Sequence, residues 1–320
     1  MKKLKVVFFG LGSIGTRLAR LTKDNFHYDI FAFRTGQNSI NNLNIEEIYN
    51  LDELKKISPD VAFITNPTSL HLKTAIYAAS LQMHLFIEKP LSHNLDNYSN
   101  LLSIIKKNNI ITCLGCELRF DPITEYLKKN LDIKQFFYSK AICSSYLPDW
   151  RPQMDYKKSY SAKKYLGGGV LLDLIHEPDY CSWLFGPIEK IEGHLGRRSK
   201  LKIETEDFAD ISLFYSSGML TNIHLDYFAY QTQRFIEIFG ENIQVKADFI
   251  KRKISFFSKD GNNCINFDKI DRDYRYLKEL KYFFNCIESL KEPINNIQEH
   301  YTILKPLIDF KKKCEKDDHD

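Results

Sequence analysis

The sequence predicts an α/β protein with a doubly wound parallel sheet in its first part and a second, differently built sheet in the rest. Three observations predict this. Short apolar strands alternate with amphipathic helices up to about residue 118. Three glycines, Gly10, Gly12 and Gly15, follow the first strand at once. From Ile188 to Phe257 strand follows strand, with turn signals at Ser216-Ser217-Gly218 and Gly240-Glu241-Asn242.

Lys5–Phe9 is short, apolar and closed by glycine, so it reads as a buried strand. Ser13–Lys23 places Ile14, Leu18 and Leu21 at helical spacing. Tyr28–Phe33, Val61–Ile64, His84–Ile87 and Ile110–Leu114 read as further strands, with helices expected at Leu70–Ser80 and Leu95–Lys107. Alternation of this kind implies a parallel sheet covered on both faces. The rhythm changes near Arg119. A helix at Ile123–Asn130 and a strand at Phe136–Cys143 lead into an irregular aromatic and basic stretch, Ser144–Tyr165. Asp210–Tyr215 and Met219–Tyr227 flank a turn as antiparallel neighbours would, Tyr274–Leu290 reads as a helix, and the charged tail from Lys311 is expected to fray. The domains expected are residues 1–118 and 119–320.

With 320 residues, 43% of them hydrophobic and 27% charged, the chain can bury two cores of ordinary size. A net charge of +4 gives no concentrated basic face, so no nucleic-acid partner is expected. Glycines interrupt the apolar opening before it could serve as a leader, and no run approaches the ~20 apolar residues of a membrane span. No membrane partner is expected, and the seven cysteines, without a pairing pattern, fit a reducing cytoplasm. Cys113 and Cys116 resemble half a zinc site, but no second pair follows at suitable spacing; they are expected to pack, with no metal bound.

Three motifs carry chemistry. Gly10-Leu11-Gly12-Ser13-Ile14-Gly15 stands between a strand and a helix, the context of a Rossmann dinucleotide site, where helix N–H groups meet a pyrophosphate. After the second strand an acid would bind the ribose 2′-hydroxyl of NAD, yet this chain has Arg34. Arg34 could clamp a 2′-phosphate, which tilts the expected cofactor, NAD(P), toward NADP; it could equally stack on adenine or point into solvent. Glu88-Lys89-Pro90 closes the fourth strand, so Lys89 would stand where ligands collect and could stabilise an alkoxide. In Gly167-Gly168-Gly169…Asp173…His176 the glycines would let a helix start close to a ligand. The three-residue spacing would put a carboxylate and a proton-accepting histidine on one helical face.

In this order, with Asn66-Pro67…His71, Arg119-Phe120-Asp121-Pro122, Thr205-Glu206-Asp207 and Phe239-Gly240-Glu241, the motifs resemble those of the Gfo/Idh/MocA oxidoreductases over nearly the whole chain. The resemblance implies a Rossmann domain and a C-terminal α/β domain whose open, mainly antiparallel sheet often joins subunits, hence a homodimer or homotetramer. It also implies that Lys89 and His176 act on a sugar-like substrate with Asp173 assisting. Many members separate the acid and the histidine by four residues rather than three, which weakens the assignment of Asp173. Cofactor contacts are expected from Gly10, Gly12, Ser13, Ile14, Gly15, Arg34, Asn66, Pro67, His71, Glu88 and Lys89.

Trp150, Arg151 and Arg119 are expected to bind an anionic sugar, since aromatic faces stack on sugar rings and guanidinium forks bind anions. The competing reading is a surface loop whose aromatics pack down. The expected reaction is reversible oxidation of a secondary alcohol. An imine or enone reductase and a non-catalytic NAD(P)-sensing regulator are the alternatives.

Overall fold

Val61–Ile64 and its neighbouring strands are apolar on both faces, as strands covered by helices on each side must be. The computed structural model describes residues 3–36 and 41–317. It begins β1 (Lys5–Phe9), α1 (Ser13–Asn25), β2 (Asp29–Phe33), β3 (Glu46–Ile48), α2 (Leu51–Ile57), β4 (Val61–Ile64), α3 (Thr68–Ser80), β5 (His84–Glu88), α4 (Tyr98–Asn108) and β6 (Thr112–Gly115). The six strands run parallel in the order β3-β2-β1-β4-β5-β6. Strand order therefore reverses between β1 and β4, the place where such sheets open a ligand crevice at their carboxyl ends.

The chain continues through α5 (Pro122–Asn130), β7 (Phe136–Ser144), α6 (Val170–Asp173), α7 (His176–Phe185), β8 (Ile188–Gly196), β9 (Phe208–Tyr215) and β10 (Leu220–Asp226). Then come β11 (Gln233–Gly240), β12 (Ile243–Asp248), β13 (Lys253–Ser258), β14 (Gly261–Asn266), α8 (Arg272–Ser289) and α9 (Ile297–Asp317). The second sheet has the order β14-β13-β12-β11-β7-β10-β9-β8 and is antiparallel except where β7 meets β10.

The chain divides into two compact units. The first holds residues up to Glu117 together with Asp271–His300; the second holds Leu118–Ile270 and the chain from Tyr301. The first junction falls one residue from that expected from sequence, but Asp271–His300 lies with the first unit rather than with residues 119–320. Tyr276, Leu280, Phe283, Phe284 and Ile287 form one buried stripe of α8. Its Phe283 meets Phe63 and Phe86 edge-on, and its Phe284 packs on Phe26 and Tyr28. An amphipathic stripe announces that a helix buries a face without saying against which sheet.

Four elements were not anticipated: β3, α2, β14 and α9. β3 is too short to show alternation. α2 was legible, because Asn50 caps it: its side-chain oxygen accepts from the Glu53 backbone N–H at 2.8 Å, while its side-chain Nδ2 donates to the Glu53 carboxylate at 3.2 Å. α9 replaces the frayed tail expected from Lys311, which instead bonds both Glu206 oxygens at 2.8 and 2.9 Å. Among the described residues, no helix is long and apolar enough to cross a membrane.

The first core is organised by Phe8, Phe63 and Phe86 from adjacent strands, stacked at 4.5 and 4.9 Å between ring centres. Phe63→Ala should destabilise the protein by about 3–4 kcal/mol through the cavity it leaves, measured as a shift in the urea midpoint.

Candidate active site

In the first unit the glycine turn is shaped by close backbone approach. Gly10 has φ +104°, and a Cβ on Gly15 would lie 2.2 Å from the Gly10 carbonyl oxygen, so α1 can begin this near β1 only with glycine there. Beyond Gly12 there is open space. Gly12 caps α1 without any side-chain hydrogen bond, and exposed Ser13 and half-buried Ile14 open the helix. A helix start left uncapped, at the switch point of a parallel sheet, fits a dinucleotide pyrophosphate.

On the other side of the switch point, Thr65 donates to the Gly10 carbonyl at 2.6 Å. The Asn66 side-chain nitrogen Nδ2 donates to Thr74 at 2.8 Å, while its side-chain oxygen Oδ1 is buried without a partner among the described residues. A buried acceptor left unsatisfied is what a ligand donor would complete. Pro67 caps α3. Buried His71 links two loops, its Nδ1 standing 2.8 Å from the Pro90 carbonyl and its Nε2 2.8 Å from that of Asn66. Burial pushes its pKa down, while the two carbonyls, as acceptors, push it up. His71 thereby ties the Asn66 loop to the Lys89–Pro90 peptide, which is cis. Lys89 itself is half-buried at the carboxyl end of β5.

Arg34 lies where expected, at the end of β2, but it is buried and bound to Glu47 at 3.1 Å. The fork expected to meet a 2′-phosphate is already held by a carboxylate. Glu88 is buried too, with Oε1 unpartnered among the described residues. Burial, reinforced by the nearby Glu117 carboxylate, pushes its pKa up to about 8.

In the second unit Asp173 and His176 do not share one helix. α6 ends at Asp173, α7 begins at His176, and Leu174–Ile175 make a turn between them. Pro178 is the reason. In the first turn of α7 its missing N–H costs nothing, whereas inside a helix running on from Val170 it would break a bond and clash. The signal was present in the sequence.

The start of α7 is held by buried charge. Arg119, 1% exposed, donates Nε and Nη2 to Asp179 at 2.8 and 2.7 Å. Arg234 does the same for Glu177 at 2.7 and 3.0 Å. The Arg119 fork expected to take an anionic sugar is therefore engaged inside the protein, where it helps fix the turn that carries His176. These two carboxylates were not singled out from sequence, because helix-start acids are ordinarily surface groups.

Asp173 is buried and accepts from Tyr160, from Ser161 at 2.6 Å and from Tyr227 at 3.0 Å. Burial, with the Asp173 charge adding to it, raises the Tyr227 pKa well above normal. This carboxylate thus binds the 159–161 turn to the strand end at Tyr227. The glycines ahead of it serve the chain itself. Gly169 has φ +121°, and a Cβ there would lie 2.2 Å from the Glu206 carboxylate. Trp150 and Arg151 line a shallow pocket with Leu147, Met154, Tyr156, Ser159 and Ser161. Trp150 stands edge-on to Tyr227 and donates to Ser145 at 2.9 Å, while Arg151 is exposed.

Residues 4–115 match a family model described as the oxidoreductase family with an NAD-binding Rossmann fold, and residues 140–246 match one described as the GFO/IDH/MocA C-terminal domain. The myo-inositol 2-dehydrogenase of Thermotoga maritima is 25% identical, covering 91% of this chain and 90% of its own. Among solved structures, a UDP-N-acetylglucosamine 3-dehydrogenase from Acidithiobacillus ferrooxidans superposes with TM-score 0.79 at 18% identity, covering 97% of each chain. A levoglucosan dehydrogenase in complex with NADH superposes with TM-score 0.85 at 15% identity, covering 98% of each. At these identities the two structures establish the fold.

Glu88 yields a pH test. Its folded pKa lies above the unfolded value, so its contribution is fully present below about pH 4 and is lost as pH rises toward 8. Relative to the wild type, Glu88→Gln should gain about 1 kcal/mol per pH unit across that window, read from urea titrations. Parallel profiles would show that Glu88 ionises normally.

Proposed function

The chain belongs to the Gfo/Idh/MocA family of oxidoreductases, and on that premise we propose that it moves a hydride between a nicotinamide dinucleotide and a secondary alcohol or ketone of a sugar or cyclitol. The observation that carries this reading lies in the first unit. The glycine turn, the Asn66 loop and Lys89 lie at the carboxyl edge of one parallel sheet, and His71 holds two of the three together. A bound nicotinamide dinucleotide supplies the hydride acceptor or donor. The α1 start, the space beyond Gly12 and the unpartnered Asn66 oxygen are the groups that would hold it.

Lys89 donates to the substrate oxygen and stabilises the negative charge that develops there as hydride leaves. His176 takes the hydroxyl proton, and an imidazole suits that task near neutral pH. Asp173 acts as a positioning residue through Tyr160, Ser161 and Tyr227, since its oxygens already accept from those three hydroxyls. Trp150 and Arg151 remain available to a substrate ring and its polar groups, while Arg119 is reserved for Asp179. The names of the relatives, inositol, levoglucosan and UDP-N-acetylglucosamine dehydrogenases, support a polyhydroxylated ring as the substrate class. We place the enzyme in the cytoplasm as a homodimer or homotetramer joined through the second sheet.

Two variants test the roles. Lys89→Met and His176→Ala should each lower kcat by about 100-fold or more on an inositol and sugar panel, with cofactor binding by calorimetry retained. Unchanged turnover in either would remove that residue from the mechanism.

A further inference from the structure

Arg34 has a second side to its story, written on the strand beside it. β3 runs parallel to β2 with Glu47 paired to Ala32, and the Arg34 amide donates to the Ile48 carbonyl at 2.9 Å. β3 thus delivers a carboxylate to the end of β2, the point where a Rossmann fold reads the adenosine ribose. Glu47 binds the Arg34 guanidinium with one oxygen and accepts from the Tyr49 hydroxyl with the other. Arg34 is 8% exposed and Glu47 17%, so the pair is largely shielded from solvent.

We infer that Glu47 sets which nicotinamide dinucleotide this chain accepts, by holding Arg34 in an ion pair that a 2′-phosphate would have to open. The inference rests on the cofactor reading proposed above. A ribose with a free 2′-hydroxyl is uncharged and leaves the pair intact. A carboxylate has about four acceptor positions, so Glu47 can accept from that hydroxyl while keeping Arg34 and Tyr49. A 2′-phosphate brings roughly two negative charges next to the same carboxylate. It must either remain beside Glu47 or draw Arg34 away and leave Glu47 shielded without a cation, and both are unfavourable. The chain therefore prefers NAD(H), and the acid that the end of β2 lacks is supplied by β3.

The test is calorimetric titration of NADH and NADPH into the full chain and into Glu47→Gln. The wild type should bind NADH about tenfold or more tighter than NADPH, and the variant should shrink that ratio by about tenfold. In the wild type, adenosine 2′,5′-bisphosphate should displace NADH no better than AMP does, a comparison that stands even if the variant fails to fold. A wild type preferring NADPH, a ratio unchanged in Glu47→Gln, or much stronger competition by the bisphosphate overturns the inference while leaving the cofactor reading in place. Binding of neither dinucleotide overturns the cofactor reading, and the inference with it.

Discussion

A carboxylate taken out of water must find a cation, a set of hydrogen-bond donors or a proton. The interior acids of this chain use all three. Glu47 has Arg34, Glu177 has Arg234, Asp179 has Arg119 and Asp121 has Arg252. Asp173 has three hydroxyls, and Glu88, with its pKa near 8, holds a proton. Breaking one side of a buried pair leaves the other charge uncompensated, so each pair fixes the segments that carry it more strictly than apolar packing would. Those segments include the end of β2, the first turn of α7 and the cap of α5.

The residues proposed for chemistry are held by neighbours bound in this way. His176 opens a helix whose next carboxylates, Glu177 and Asp179, are each gripped by a two-pronged guanidinium. Lys89 precedes a proline whose carbonyl is met by the His71 ring. A reactive group gains precision when its support is rigid, because misplacement by about 1 Å can cost as much as 100-fold in rate. In this light Asp173, Arg119 and His71 matter through what they hold in place.

Much of the first sheet was legible because its strands are short apolar runs separated by helical periodicity, and both patterns are local. The glycine turn was legible for a related reason, since only glycine permits the φ of residue 10 and the approach at residue 15. Pro178 and the Asn50…Glu53 cap were equally local signals: the first would have corrected a helix boundary, and the second would have revealed α2. Lys89 and His176 stood out because their chemistry is unusual at a strand end and after a run of glycines. Whether a charged side chain is free or occupied was not legible at all.

By itself the sequence determined the alternation of strands and helices, the change to antiparallel pairing, and the short list of groups able to bind phosphate or move a proton. These depend on periodicity, on backbone permissiveness and on side-chain chemistry, which are written residue by residue. Only the tertiary structure decided that Arg34 meets Glu47 thirteen positions away, that Arg119 meets Asp179 sixty positions away, and that α8 packs with the first sheet. Partnership between distant side chains is set by where strands and helices come to rest, and spacing along the chain carries no record of it.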